Sequence, residues 1–426
     1  MNARYSPTSA AVTALLLAVC TTTTLAQVPT LPPSSISNAA DAGQLVHTNL
    51  QIRDSSGDFT AIPQVTGPPF AGYFYQTPAS IACIYNLQPA VPGCNPNVVT
   101  SNPSGGGRAI AIVDAFDDPN AYADLQYFSK QFGLVAITPS SFQVVFAPHG
   151  DVAPGSCAGT ATRPPSARGT GWDVEESLDI EWAHAMAPSA TLYLVEAQSN
   201  SYRDLLCAVT VASNLVRAAG GGEVSMSWGS GEFPAETTFD SVFTTPNVVY
   251  FASAGDSPGV SYPSASPNVV SVGGTSLSFD PITGNFIGEN TWQDTGGGAS
   301  RFESRPSYQD GNIATIVGLR RGTPDIASDA NPYTGVWVFD SLTFGAPVWF
   351  IVGGTSVSSP TWAGIVNTAG GFSASSQAEL TKLYSDPSAD FIGIKVGNCG
   401  PYMSIFASGS WDFCSGRGSP KNYTGK

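Results

Sequence analysis

Short apolar runs alternate with stretches of helical spacing along most of the chain. Ala109-Ile110-Ala111-Ile112-Val113, closed by Asp114, predicts a buried strand. Further strands are predicted at 191–196, 223–227, 248–252, 269–272 and 348–352. Between them, helical periodicity covers 120–132, 175–187, 202–219 and 360–369. This alternation predicts an α/β fold: a mostly parallel sheet with helices on both faces. Residues 27–69 are rich in Pro and Ser and lack a sustained period. They predict an extended leader or short pro-segment ahead of one domain over 70–426. The one internal echo is Gly-Gly-Thr-Ser, after a predicted strand at 273–276 and again at 353–356.

The first 26 residues predict an export signal. Arg4 supplies a positive start, Ala10 to Cys20 is an apolar run too short to span a bilayer, and Thr24-Leu25-Ala26 offers a cleavage site. Val19 is too large for the position before a lipidated cysteine. Of seven cysteines, Cys20 falls in this segment, leaving Cys83, Cys94, Cys157, Cys207, Cys399 and Cys414. Six cysteines in an exported chain predict three disulfides among fifteen pairings. Proximity favours Cys83–Cys94 and Cys399–Cys414, which leaves Cys157–Cys207.

Charge narrows the function classes. With 32 acidic and 17 basic side chains, the net charge of −15 argues against nucleic acid and anionic membranes as partners. Only 12% of residues are charged. Few Lys and Arg also means little positive self-repulsion once the carboxylates are protonated, which suits work in acid.

The two Gly-Gly-Thr-Ser copies differ in the residues downstream of them. Leu-Ser-Phe-Asp-Pro after Ser276 has no helical pattern, whereas Ser356 precedes a predicted helix with Pro360 in its first turn. A serine between a buried strand and a helix N-terminus is held rigidly, beside N–H groups that favour negative charge. That suits a nucleophile whose substrate develops an oxyanion. For Ser276 the plainer reading, a capping serine in a turn, is preferred. A serine nucleophile needs a base, and His47, His149 and His184 all read as surface or packed histidines. The alternative is a carboxylate pair. Glu175 and Asp179 are four apart on one predicted helix face and can share a proton. Such a pair works in acid, where histidine is already protonated. In Ala-Gly-Asp256-Ser, a protonated Asp256 can donate to an oxyanion, whereas an ionised one would repel it. Taken singly, these acids read as solvated helix-start and turn residues.

The chain resembles the sedolisins, serine-carboxyl peptidases with a subtilisin-like fold. The resemblance rests on residues 175–188 (EESLDIEWAHAMAP), 225–229 (SMSWG), 252–275 and 353–364 (GGTSVSSPTWAG). It implies Ser356 as nucleophile, Glu175 as general base, Asp179 as its orienting partner and Asp256 as oxyanion stabiliser. Asp114 and Trp228 fall where the family often has supporting groups. It also implies one structural Ca²⁺ bound by Asp390 and Asp412 with the carbonyls of Phe391, Ser408 and Ser410. Serine stands at 408 and 410 where the family usually has glycine. Pro258 replaces a usual glycine, so substrate preference does not transfer, and many family members have a longer pro-segment than 27–69. The expectation is a secreted, monomeric, acid-acting endopeptidase on protein or peptide substrates. The rivals are a histidine-based subtilisin relative and a non-catalytic binding protein on a protease fold.

Overall fold

The computed structural model describes residues 29–53, 74–89 and 91–426. The predicted export signal therefore lies outside the described residues, as does 54–69 of the predicted leader. The strands and helices that build the site are, in chain order, β1 (His47–Thr48), β2 (Gln51–Ile52), β3 (Ala109–Ala115), α1 (Ala121–Phe132), β4 (Phe142–Phe146), α2 (Trp172–Met186), β5 (Thr191–Ala197), α3 (Tyr202–Ala218), β6 (Gly222–Met226), β7 (Trp228–Gly231), β8 (Val248–Ser253), β9 (Val270–Phe279), β10 (Phe286–Thr291), β11 (Ile326–Asp329), β12 (Val336–Asp340), β13 (Val348–Gly353) and α4 (Thr355–Ala369).

Eight strands form the central sheet, in the order β10-β9-β8-β6-β3-β5-β4 with β11 also paired to β9. Every pairing is parallel except β9 with β10. The inner strands β3 and β8 are buried throughout, which is why they read as continuous apolar runs, whereas the edge strands β4 and β10 are partly exposed. In β3, Ala109, Ala111 and Val113 join the core under α3, while Ile110 and Ile112 join a second core with Ile180 of α2 and Trp362 of α4. By the same alternation Asp114 points to the α2 side. Helices α2 and α4 pack together there. A Cβ on Gly364 would sit 2.6 Å from Met186 Cβ and 3.0 Å from Ala183 O, so the close approach needs glycine.

Three disulfides join Cys83 to Cys94, Cys157 to Cys207 and Cys399 to Cys414. Two expectations are corrected. The first Gly-Gly-Thr-Ser does not follow a strand but lies within β9, because β10 pairs alongside it and keeps the backbone extended. The helix expected from Pro360 starts at Thr355 and places Pro360 in its interior. Proline has no N–H to give to the Ser356 carbonyl one turn back, and the Ser227 hydroxyl lies 3.3 Å from that oxygen.

Residues 29–53 are woven into the domain. β1 pairs antiparallel with β7, and β2 pairs antiparallel with β13. Leu50 and Ile52 are buried in the same apolar cluster as Val352 and Val357.

Candidate active site

Ser356 sits in the first turn of α4, fully buried. Gly354 turns the chain from β13 into the helix with φ +101°, a conformation open to glycine but costly for other residues. The Ser356 N–H, freed by its place at the helix start, donates to Asn49 O at 3.0 Å. The Ser356 hydroxyl donates to Ser227 O at 3.1 Å and accepts the Asn49 N–H at 3.2 Å.

Helix α2 brings the acids. It is buried on every side yet carries Asp173, Glu175, Glu176, Asp179 and Glu181. Burial pushes the Glu175 carboxyl well above its usual range, and the neighbouring Asp179 and Asp114 push it further. The nearby Ser356 hydroxyl pulls it back down, although neither Glu175 oxygen has a hydrogen-bond partner while that hydroxyl is turned to Ser227 O. Asp179, one helical turn on, is raised by burial and by Asp114. Its Oδ1 accepts the Ser227 hydroxyl at 2.8 Å. Asp114 is itself pushed up to about 8 by burial. Three carboxyl groups so close together in a dry site cannot all ionise, so they hold protons in common.

Asp256 approaches Ser356 from the loop after β8. Its Oδ1 accepts both the Thr355 N–H at 2.7 Å and the Thr355 hydroxyl at 2.8 Å. Burial raises this carboxyl to about 8, against the lowering effect of those bonds. With Oδ1 occupied as an acceptor, the proton belongs on Oδ2, which is buried and has no partner. A Cβ added to Gly354 would meet Asn49 O at 2.1 Å and Asp256 Oδ2 at 2.5 Å. The Asn49 carbonyl and Asp256 Oδ2 therefore flank one point, in front of the Ser356 N–H.

The structure brings Ser356, Glu175, Asp179, Asp256 and Asp114 into one buried site. Trp228 is buried beside it, its indole N–H donating to Val113 O at 2.7 Å. The three histidines go elsewhere. His184 is buried, holds Val135 O at 2.9 Å and is pushed down to about 4 by burial. His149 is exposed beside Asp204, and His47 pairs with Asp41 at 2.9 Å. Sequence reasoning missed the roles of Ser227, Thr355 and Asn49. The first two lie inside the SMSWG and GGTS motifs, where a polar residue beside a candidate site residue was the available signal. Nothing marked Asn49.

Of the residues implied for a cation, Asp412 is buried and folds its own loop: its carboxylate accepts the N–H groups of Ser408 (2.8 Å), Cys414 (3.0 Å) and Ser415 (2.9 Å). At the other end, the Lys426 ammonium donates to Asp390 O at 2.9 Å and lies 4.0 Å from the centre of the Phe391 ring. A separate trio not foreseen from sequence, Asp118, Asp124 and Asp340, has carboxylate oxygens within 4.8 Å of one another.

No family model matches the chain. Kumamolisin of Bacillus sp. (strain MN-32) is 29% identical over 400 residues, covering 86% of this chain and 65% of its own length. Sedolisin of Pseudomonas sp. (strain 101) is 26% identical over 361 residues, covering 75% and 57%. The chain thus spans less than two thirds of the length of these curated relatives. The solved structure of Pseudomonas sedolisin, a serine-carboxyl proteinase complexed with pseudo-iodotyrostatin, superposes with a TM-score of 0.61 at 23% identity, covering 82% of this chain and 95% of that one.

Proposed function

We propose that the chain, which is similar to members of the sedolisin family, is one of them: an exported serine-carboxyl endopeptidase that hydrolyses protein or peptide substrates in acid. The observation that carries this reading is the convergence of Glu175, Asp179 and Asp256 on Ser356 at a helix N-terminus. Glu175 takes the hydroxyl proton as Ser356 attacks the carbonyl carbon. Asp179 orients Glu175 and shares its proton load. The Ser356 N–H and protonated Asp256 donate to the oxyanion, in a site dry enough to strengthen both bonds. Glu175 then returns the proton to the leaving amine, and water repeats the sequence on the acyl-enzyme. Low pH suits the whole set, because it keeps Asp256 neutral and prevents the acids from repelling one another. The purified chain, incubated at about pH 4 (near the carboxyl reference range), is expected to digest casein, and Ser356→Ala to abolish this. Undiminished digestion by the Ser356→Ala protein would refute the reading.

Three disulfides fit an oxidising compartment. Among the described residues no helix is long and apolar enough to cross a membrane. One structural Ca²⁺ is part of the proposal, held by Asp390 and Asp412 with the carbonyls of Phe391, Ser408 and Ser410. Bound only to the folded state, it would stabilise by mass action. A chelator near neutral pH should lower the melting temperature, and Asp412→Ala should remove that sensitivity. An unchanged melting curve with excess chelator, together with no calcium by elemental analysis, would exclude the ion.

A further inference from the structure

We propose that Asp118, Asp124 and Asp340, joined by Glu181, form a calcium site of their own, apart from the one proposed at Asp390 and Asp412. The inference stands on these four residues and does not depend on the peptidase reading.

Three separate stretches bring the aspartates together. Asp118 lies in the turn between β3 and α1, Asp124 in the first turn of α1, and Asp340 ends β12. All three are buried, and β12 packs against both α1 and α2. One carboxylate oxygen of each lies within 4.8 Å of the other two. Two oxygens on opposite sides of Ca²⁺ stand about 4.6–5.2 Å apart, since each sits at about 2.3–2.6 Å from the ion. Around Mg²⁺, at about 2.0–2.1 Å, they come within about 4.2 Å of each other. The observed spread suits the larger ion.

Each aspartate is fixed by a neighbour. Asp118 Oδ1 accepts the Asn120 N–H at 2.8 Å, and Asp340 Oδ1 accepts the Thr343 N–H at 2.9 Å. The Asp124 carboxylate accepts the Ser341 N–H and hydroxyl, both at 2.8 Å. Outer partners of this kind orient carboxylates at metal sites. They leave Asp118 Oδ2 and Asp340 Oδ2 buried with no hydrogen-bond partner.

Glu181 of α2, outside the trio, points the same way. It is fully buried, its Oε2 accepts the N–H of Phe339, next to Asp340, at 3.1 Å, and its Oε1 has no partner. Burial raises this carboxyl well above its usual range, and Asp124, Asp340 and Asp118 raise it further, so it lies in the field of all three. None of the salt bridges among the described residues reaches any of the four acids. Buried carboxyl groups without a basic partner hold either protons or a cation. A proton bridges two oxygens at most, whereas a hard cation gathers all of them and completes its shell with water. The ion ties the start of α1 and the end of β12 to α2, the helix that carries Glu175 and Asp179, and stabilises the folded state by mass action.

The test uses the full chain with Ser356→Ala, so that no digestion intervenes, near neutral pH, where protons compete least for these oxygens. In equilibrium dialysis against calcium, adding Asp340→Asn should remove one bound ion per chain, whereas Asp412→Ala should leave this ion in place. Crystals soaked in terbium chloride, whose ion is close to calcium in size and donor preference, locate the site without a substitution at the trio. An anomalous-scattering peak bounded by Asp118, Asp124 and Asp340 is expected. No peak there overturns the proposal and means that these acids hold protons alone, and a peak confined to Asp390 and Asp412 does so while leaving the other calcium site standing. A folded Asp340→Asn chain that binds as much calcium as its parent also overturns it.

Discussion

The tetrapeptide Gly-Gly-Thr-Ser occurs at 273–276 and at 353–356, and the two copies share more than letters. In each, the threonine hydroxyl donates to a buried carboxyl: Thr275 to Glu289, Thr355 to Asp256. What separates them is the fate of the backbone. Residues 273–276 continue along β9, where Thr275 and Ser276 register with Thr291 and Asn290, and the Ser276 hydroxyl is absorbed by Asn331 at 2.9 Å. At 353–356 the strand stops, Gly354 takes φ +101°, and a helix begins. Only there is a serine N–H released from any ladder to face a carbonyl. The setting of the proposed nucleophile is thus made by the strand-to-helix turn, and the tetrapeptide supplies only the residues that the turn tolerates.

The largest contrast comes from removing each hydroxyl. Ser356→Ala should lower kcat by roughly 10³-fold or more, while Ser276→Ala should leave turnover within about 2-fold, because it costs one half-exposed hydrogen bond. Comparable losses in both variants would erase the distinction. The glycines sharpen it. Alanine at 354 places a Cβ 2.1 Å from Asn49 O and 2.5 Å from Asp256 Oδ2. It should lower kcat/KM by roughly 10²-fold through misplaced oxyanion donors. Alanine at 274 instead meets Trp292 Cε3 at 2.6 Å and Ala330 Cβ at 2.7 Å. It should cost about 1–3 kcal/mol of stability through overpacking with kcat/KM changed only a few-fold. Thermal melts and steady-state kinetics on the two variants separate these outcomes.

A smaller and broader effect concerns stability against pH. Burial raises Asp114, Asp118, Asp256 and Glu223 to about 8, and Glu196 to about 9. Folded pKa values above the unfolded ones mean that the native state holds more protons between them. Stability from these groups is therefore complete below about pH 4 and is lost as the pH rises toward 8 or 9. His184, lowered to about 4, works the other way and weakens the fold as the pH falls from about 6.5. The acids outnumber it, so the Ser356→Ala protein, which cannot digest itself, should melt higher at about pH 4 than at pH 8. A melting temperature that rises over that interval would contradict the burial of these acids in protonated form.

Much of this was legible in the sequence. The inner strands of the sheet declared themselves because burial on both faces makes them apolar throughout, and β3 and β5 ran close to their expected bounds. Motif and spacing singled out Ser356, Glu175, Asp179 and Asp256 as candidates, and the structure places them together. Local pattern predicted no strand at β4, β10, β11 or β12, and it misplaced a boundary at two further places. It stopped short at Val272, where β10, a partner more than a dozen residues away, keeps the chain extended to Phe279. It also deferred α4 to Pro360, because proline ordinarily opens a helix, whereas here the helix starts at Thr355 and carries the proline inside. The docking of 47–52 was invisible for a third reason: a segment that borrows both of its ladders from β7 and β13 needs no periodicity of its own.

The central claim is that carboxyl groups, not a histidine, run the chemistry at Ser356, and the pH dependence of kcat/KM on a short peptide tests it most directly. Raising the pH strips the proton from Asp256, turning a donor into an anion facing an oxyanion, and sets the Glu175–Asp179 pair in mutual repulsion. The rate should be highest on the acid side and fall as the pH approaches about 8, the value to which burial raises Asp256, within the range where the protein stays folded. Asp256→Asn should flatten that fall, because an amide donates at any pH. A rate that instead climbs from about pH 5 to a plateau near about pH 8, as a base with a pKa of about 6.5 requires, would contradict the account.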